Sequence, residues 1–378
     1  MGSFMTTART LRSYLPHAAL GAAAVVASVG AAACAPDKMP FKEDEVHVFA
    51  GGKEVTGHEL NLGYQSYTRY CYACHGHEGD GKGPASYGYR PPPRNFTQGS
   101  FKFARMLGAD DVPQDDDLVR IVKGGLHGTP MLEWDVPEEE LRRILQYIKT
   151  FNPKKWEKKK KNGDPVKTVA DWAPSADPWE GKDADGIARG RDLYHFKAEC
   201  VNCHPAYGTK KELYDLSLAA NKREPDIFKP ITGFRDDFYG SVAKDSSEYA
   251  VRLLPPDFTF NYVRSVREGH ELEDLFRVLS FGVYPIMPAW QGALSDPDIW
   301  AIAHYVKSLM ALRGTSEGLA LQTKFAAQAP FEVPKPEEPK PAEPAPADAT
   351  ADAGAPAADA GAAMKKDDAK KPEKVKQP

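Results

Sequence analysis

The sequence predicts an all-α protein made of two tandem domains of one design, followed by a disordered C-terminal tail. Three observations carry this. The pentapeptide Cys-x-x-Cys-His occurs twice, as Cys71-Tyr72-Ala73-Cys74-His75 and Cys200-Val201-Asn202-Cys203-His204. The same short segments return around each copy in the same order, which marks an internal repeat. Each copy is also bracketed by stretches whose apolar residues recur at helical spacing rather than alternating.

Taken in chain order, residues 1–33 read as an export signal. Arg9 and Arg12 form a positive start, Leu15 to Ala33 has no charged residue, and Ala31, Ala32 and Ala33 close the stretch. Cys34 falls at the cleavage point. The Ala-Ala-Ala-Cys end resembles a bacterial lipobox, without the leucine usual three residues before the cysteine. A lipid on Cys34 would tether the chain to a membrane. The alternatives are a free thiol, or retention of a stretch that is short and alanine-rich for a spanning helix. Residues 34–55 then form an N-terminal tether.

The first domain spans 56–151. It opens on Thr56-Gly57-His58-Glu59, a capping-box pattern. Gly63, Tyr67 and Cys71 follow at intervals of four, on one helical face. Past the pentapeptide come Pro93-Arg94-Asn95-Phe96-Thr97, then Asp117-Leu118-Val119-Arg120, then Gly124 to Met131 and Trp134. A closing helix begins near Pro137, with Glu138, Glu139 and Glu140 favourably placed in its first turn. Its apolar face is Leu141, Ile144, Leu145 and Ile148.

Residues 152–183 read as a charged linker that starts with the run Lys154 to Lys161. Such a run is ordinarily a solvated stretch, or else a docking patch for an acidic partner or anionic lipid. The second domain, 184–312, answers the first: Gly190 and Tyr194, then Pro255-Pro256-Asp257-Phe258-Thr259, Asp274-Leu275-Phe276-Arg277, Gly282 to Met287, Trp290, and a helix opened by Ser295 with Ile299, Ile302, Val306 and Leu309 on one face. The glycines permit close helix approach, with Tyr147 and Tyr305 as the expected partners. Residues 313–378 form the tail, which from Ala329 onward is Pro, Ala, Glu, Lys and Asp with almost no large apolar residue.

Cys-x-x-Cys-His is the attachment pattern of c-type haem, two thioethers from the cysteines and an iron ligand from the histidine. A thioredoxin-like dithiol or a four-thiolate zinc site leaves both histidines unexplained. The cofactor expectation is therefore two covalent haem c groups, held by Cys71, Cys74, His75 and by Cys200, Cys203, His204. The sixth ligands are expected downstream, in Gly/Pro-punctuated loops, as Met131 and Met287. Met/His ligation suits electron transfer. His127 competes for the first iron, with Met106 and Met310 weaker. Trp134 and Trp290 are expected to pack beside the haems. No catalytic acid, base or nucleophile is required. The alternative is a dihaem enzyme, peroxidase-like or thiosulfate-type, with one open axial position.

Each half resembles a class I cytochrome c domain: helix, Cys-x-x-Cys-His, haem-wrapping loop, Met loop, helix. The first half also carries Gly76-His77-Glu78-Gly79-Asp80-Gly81-Lys82-Gly83-Pro84, similar to that family's Gly-rich stretch. The resemblance implies a backbone carbonyl on the proximal histidine, with Pro84 the candidate. The second half departs: Cys200 lies six positions after Tyr194, whereas Cys71 lies four after Tyr67, and a longer segment around Tyr214 to Arg252 is inserted. Pro93 to Phe103 resembles the lipoprotein cytochrome subunit of alternative complex III, a quinol-oxidising assembly whose cytochrome carries one haem. The resemblance implies export to the periplasm, where c-type haem is attached. The implied partners are redox proteins: a quinol-oxidising complex, a terminal oxidase or a soluble cytochrome. The 49 Lys+Arg against 53 Asp+Glu give no reason to expect nucleic acid.

Overall fold

The computed structural model describes residues 39–335, apart from 109, 170–171 and 247–250. The expected export signal, Cys34 and most of the tail lie outside the described residues. Helices dominate, with two short antiparallel hairpins. In order the elements are β1 (Val46–Phe49), β2 (Lys53–Thr56), α1 (Gly57–Tyr70), α2 (Tyr72–His75), α3 (Asp115–Gly124), α4 (Glu138–Lys149), α5 (Pro153–Trp156), α6 (Asp183–Phe196), α7 (Lys210–Arg223), β3 (Lys244–Ser246), β4 (Val251–Leu253), α8 (Glu271–Phe281), α9 (Asp296–Met310) and α10 (Ser316–Ala326).

Each domain is organised by one helix crossing, α1 on α4 and α6 on α9. A glycine makes each crossing possible. A Cβ on Gly63 would sit 2.4 Å from the Arg143 carbonyl oxygen, and one on Gly190 would sit 1.9 Å from that of Ala301. One turn on, the tyrosines meet: Tyr67 and Tyr147 rings are 5.1 Å apart, Tyr194 and Tyr305 5.4 Å. Leu60, Leu141, Ile144 and Leu145 fill the first core, and Leu193, Ile299, Ile302 and Phe276 the second. At the start of α1, Thr56 Oγ1 accepts from the Glu59 amide. The Glu59 carboxylate pairs with Arg143 of α4 at 3.0 Å, so this cap also serves the crossing.

The two domains meet along a seam built from the repeated Asp-x-x-Arg segments of α3 and α8. Arg120 donates to Asp274 (3.4 Å) and to the Ser265 carbonyl (3.2 Å), while Arg277 donates to Asp117 (3.5 Å). The pairs thus cross between domains. Each aspartate is also held within its own domain, Asp117 by Arg105 at 2.9 Å and Asp274 by Arg267 at 2.8 Å. Both carboxylates are 1% exposed. Burial pushes the Arg120 guanidinium down to about 10, and neighbouring Arg277 adds to the shift against the attraction of Asp274. At neutral pH it still carries its charge.

Three boundaries differ from expectation. The 34–55 tether contains the β1–β2 hairpin, which inserts fully buried Phe49 and Val55 into the first core. The 152–183 linker is packed: Trp156, amid the lysines, is buried, and Trp172 stacks on Phe276 of the second domain at 5.7 Å. Residues 313–331 are not a disordered tail. α10 is capped by Thr315, Phe325 stacks on Tyr239 at 4.7 Å, and Gln328 accepts from the Tyr239 hydroxyl at 2.9 Å. These segments carry few but well-placed aromatic anchors, which an average over composition conceals. The insertion in the second domain is α7, with a full capping box from Thr209 and Glu212, followed by the β3–β4 hairpin.

Two outcomes test this packing. Gly190→Ala is expected to destabilise the protein at or beyond the upper end of the overpacking range, about 3 kcal/mol, because backbone rather than a side chain must move; thermal unfolding measures it. Asp274→Ala leaves Arg120 and Arg267 without their shared carboxylate and is expected to cost about 3–5 kcal/mol in denaturant unfolding.

Candidate haem centres

α1 delivers the first pentapeptide directly. Cys71 donates its amide to the Tyr67 carbonyl, and α2 adds one turn in which the Cys74 and His75 amides both return to the Cys71 carbonyl. The second domain reaches the same turn by a longer path. α6 ends at Phe196, Glu199 adopts a left-handed conformation (φ 49°), and the Cys203 and His204 amides return to the Cys200 carbonyl. The two extra residues are absorbed before the motif, not within it. Each buried tyrosine then clamps the residue after the histidine: Tyr67 donates to the Gly76 carbonyl (2.6 Å) and Tyr194 to that of Pro205 (2.9 Å).

Both histidines are oriented the same way. Nδ1 of His75 lies 3.0 Å from the Arg94 carbonyl, and Nδ1 of His204 lies 3.0 Å from the Pro256 carbonyl. Arg94 and Pro256 occupy the same place in the repeated Pro-x-Asx-Phe-Thr segment. The next aromatic stacks on the imidazole: Phe96 on His75 at 4.5 Å, Phe258 on His204 at 4.9 Å. Side chains pin the segment, since Oδ1 of Asn95 accepts from Thr97 N (2.9 Å) and Oγ1 (2.7 Å), and Oδ1 of Asp257 accepts likewise from Thr259 at 2.9 and 2.7 Å.

This corrects the expectation for Pro84. The Gly-rich stretch lies instead against the pentapeptide, with Gly83 N on the Cys74 carbonyl (3.1 Å) and Ala85 N on the Ala73 carbonyl (2.8 Å). A Cβ at Gly83 would come within 2.3 Å of the Ala73 carbonyl oxygen, so only glycine allows this approach. Register within the repeat was the available signal for the carbonyl; no side-chain type marks it.

Burial drives His75 down to about 4 and lowers His204, partly opposed in each case by the bond to a backbone carbonyl. Both imidazoles are therefore neutral at pH 7. With Nδ1–H donating, Nε2 presents its lone pair, the state that binds iron. Cys71, Cys74, Cys200 and Cys203 are unbridged thiols. Burial pushes both Cys71 and Cys200 up to about 12, so they are not thiolates. The two pairs sit against separate cores, and among the described residues no three His, Cys, Asp or Glu side chains converge as a metal site. The four-thiolate zinc reading therefore has no geometry. The residues fit covalent haem: two unbridged thiols and one neutral, oriented imidazole per domain.

The methionine loops are also built alike. Each follows its helix through a glycine with positive φ, Gly125 (61°) and Gly282 (68°). The carbonyl of Met131 accepts from Leu126 N at 2.8 Å, and that of Met287 from Val283 N at 2.9 Å. The loops close back on the preceding helix through Trp134 N to the Val122 carbonyl and Trp290 N to the Leu279 carbonyl. Met131 and Met287 are both partly buried, Met287 against the second core. Trp290 packs on that core too, and Trp134 is 39% exposed. Of the competitors, His127 lies beside Tyr262 of the second domain at 6.4 Å, Met106 is buried and Met310 is partly buried.

His195, five residues before Cys200, was not anticipated. It is buried, and both ring nitrogens are engaged: Nδ1 with the Arg191 carbonyl at 2.7 Å, Nε2 as acceptor from Tyr207 N at 3.4 Å. It fastens α6 to the chain after the motif and is not placed as a ligand.

Two helix–motif–loop–helix domains, each presenting paired thiols beside a neutral imidazole, define a c-type cytochrome. The chain matches the family model described as cytochrome c oxidase, cbb3-type, subunit III, over residues 58–148 and 185–306. It belongs to that family. Cytochrome c domains bind haem covalently and use it for electron transfer. Among solved structures the chain is similar to one from the Kuenenia stuttgartiensis reducing HAO-like protein complex Kustc0457/Kustc0458, at 26% identity and a TM-score of 0.44, covering 66% of this chain and 95% of that one. Comparison with curated protein sequences gives no match.

Burial lowers His195 to about 4, against an ordinary value of 6.5, although its carbonyl bond works the other way. The unfolded chain therefore takes up a proton that the folded one refuses. The stability from this neutral histidine is complete above pH 6.5 and is lost as pH falls toward 4, a span of about 3 kcal/mol. His195→Gln is expected to flatten that part of the stability–pH curve, measured by denaturant midpoints.

Proposed function

We propose that the protein is a dihaem electron carrier of a bacterial respiratory chain. Cys71 and Cys74 would hold one haem through thioethers, and Cys200 and Cys203 a second. His75 with Met131, and His204 with Met287, would ligate the two irons. The haem iron supplies one-electron chemistry; the chain's residues bind it, fix its ligands and keep water away. The carrying observation is the doubled second layer: in both domains a backbone carbonyl of the same repeat position takes Nδ1 and an aromatic covers the imidazole. Such support fixes the ring orientation and raises ligand basicity. Met/His ligation on both sides leaves no open position and favours transfer over substrate chemistry.

The chain is exported and held at a membrane by a lipid on Cys34. It works beside a quinol-oxidising complex or a terminal oxidase, and the oxidase-subunit name of its family supports the latter. Among the described residues no helix is long and apolar enough to cross a membrane.

Optical spectroscopy with a pyridine haemochrome count tests this reading. Two haems per chain are expected, both low-spin in each oxidation state and both showing the methionine-to-iron band. Met131→Ala and Met287→Ala should each remove about half of that band and lower one of the two potentials. A wild-type protein with one high-spin haem that binds small ligands would replace the carrier with a dihaem oxidoreductase of the peroxidase or thiosulfate type.

A further inference from the structure

The lysine run after the first domain is not a floppy linker. Its base is fixed by buried Trp156, whose carbonyl accepts from Ala50 N, and by Val166, whose carbonyl accepts from Gly51 N at 2.7 Å. From this base the chain rises as a small hairpin. Lys159 bridges Pro165, Val166 N returns to the Lys158 carbonyl (3.0 Å), and Lys160 N to that of Asp164 (2.7 Å), with Gly163 turning at φ 90°. Lys158, Lys159, Lys160 and Lys161 are all exposed, and no ion pair engages them among the described residues. The nearby anions are occupied: Glu157 pairs with His47 at 3.1 Å, and Asp164 bonds Asn162 at 2.7 Å.

Residues 154–167 hold seven lysines against Glu157 and Asp164, a net of +5. The whole chain is −4, so the remainder sums to −9. A concentrated positive tip on an otherwise acidic protein orients the molecule toward negative charge. The chemistry of the tip narrows the choice of partner. Protein interfaces are depleted in lysine and use aromatic and arginine anchors. The tip has neither: its other residues are Asn162, Gly163 and Asp164. Lysine is a compact, hydrated point charge, suited to a diffuse field of phosphates rather than to a shaped site. The hairpin is also bonded to the β1–β2 hairpin, which follows the uncharged stretch Leu15 to Ala33 in the chain.

We infer that the Lys158–Lys161 hairpin is a docking finger for anionic phospholipid headgroups, a membrane contact that sets the orientation of the first domain. The inference depends on neither haem ligation nor acylation of Cys34.

The full-length haem-loaded protein is tested on vesicles of phosphatidylcholine alone and of phosphatidylcholine mixed with phosphatidylglycerol. Any membrane anchor contributes to both; the hairpin contributes only to the second. The wild type should prefer the anionic vesicles, and replacing Lys158, Lys159, Lys160 and Lys161 with Gln should abolish a preference on the order of a thousandfold. The corresponding Lys→Arg variant should keep it, and raising the salt should erase it in both. Unchanged haem spectra in the variants show that folding is intact, and the salt titration on wild type measures the same electrostatic contribution without a variant. Equal binding of wild type to both vesicles, or a preference that survives in the Gln variant, overturns the inference. So does a Gln variant that alters only electron exchange with an acidic redox protein, which would make the finger a protein-docking element.

Discussion

Each domain is built around one constraint: an imidazole must be buried, neutral and held by Nδ1 so that Nε2 keeps its lone pair. In water it would take up a proton as pH falls through about 6.5 and thermal motion would rotate it, so the fold buries it and supplies a carbonyl to Nδ1 and an aromatic to its face. In the first domain that carbonyl lies 19 residues after the histidine, in the second 52. Closing the longer loop costs about 1 kcal/mol more in chain entropy. The added segment offsets this by extending the second core, since Leu213, Ala220 and Phe228 of the α7 region are all but completely buried within it. The geometry at the histidine is unchanged to within the bond lengths quoted above.

The seam between domains extends the same economy. The helix that leads into each methionine loop carries an aspartate and an arginine one turn apart. When two copies of that helix face each other, each arginine reaches the other's aspartate. The repeat is thus its own complement, as a twofold interface in an oligomer is. Burying these charges gives up much of their hydration, and their attraction need not yield net stability. What the crossed arrangement does provide is register: a slip by one residue along either helix would strand two buried carboxylates and up to four guanidinium groups.

Much of this was legible in the sequence where a residue type has one physical use. Cys-x-x-Cys-His marked the motif, Gly63 and Gly190 the helix crossings, and Tyr147 with Tyr305 their partners. The glycines before Met131 and Met287 marked tight turns, and the structure places a positive φ at one in each loop, Gly125 and Gly282. The failures have a common cause. A backbone carbonyl has no letter of its own, so Arg94 was invisible while Pro84, a conspicuous letter, drew attention. Trp156 within a lysine run, Phe49 within an expected tether and Phe325 within an expected tail are single anchors in polar surroundings, and composition outvoted them. Asp117 and Asp274 stood out only as matching letters of the repeat, which does not reveal that each also meets an arginine from the other domain.

The two halves serve as independent solutions to one problem, and their differences are unevenly spread. The pieces that agree are those that touch the motif: the tyrosine on the following carbonyl, the carbonyl on Nδ1, the stacked phenylalanine, the Asx–Thr turn beneath it, and the loop that returns the methionine carbonyl. The pieces that disagree lie outside this shell: the β1–β2 hairpin and lysine finger on the first domain, α7, the β3–β4 hairpin and α10 on the second. A packing role alone would tolerate volume-conserving change at the shell as readily as elsewhere. Agreement at the groups that orient an imidazole and a methionine loop is what a shared ligand geometry calls for, and the glycine crossings and the Asp-x-x-Arg seam agree beside it because they hold the two helix pairs and the two domains in place. Divergence outside it leaves each domain free to meet a different surface.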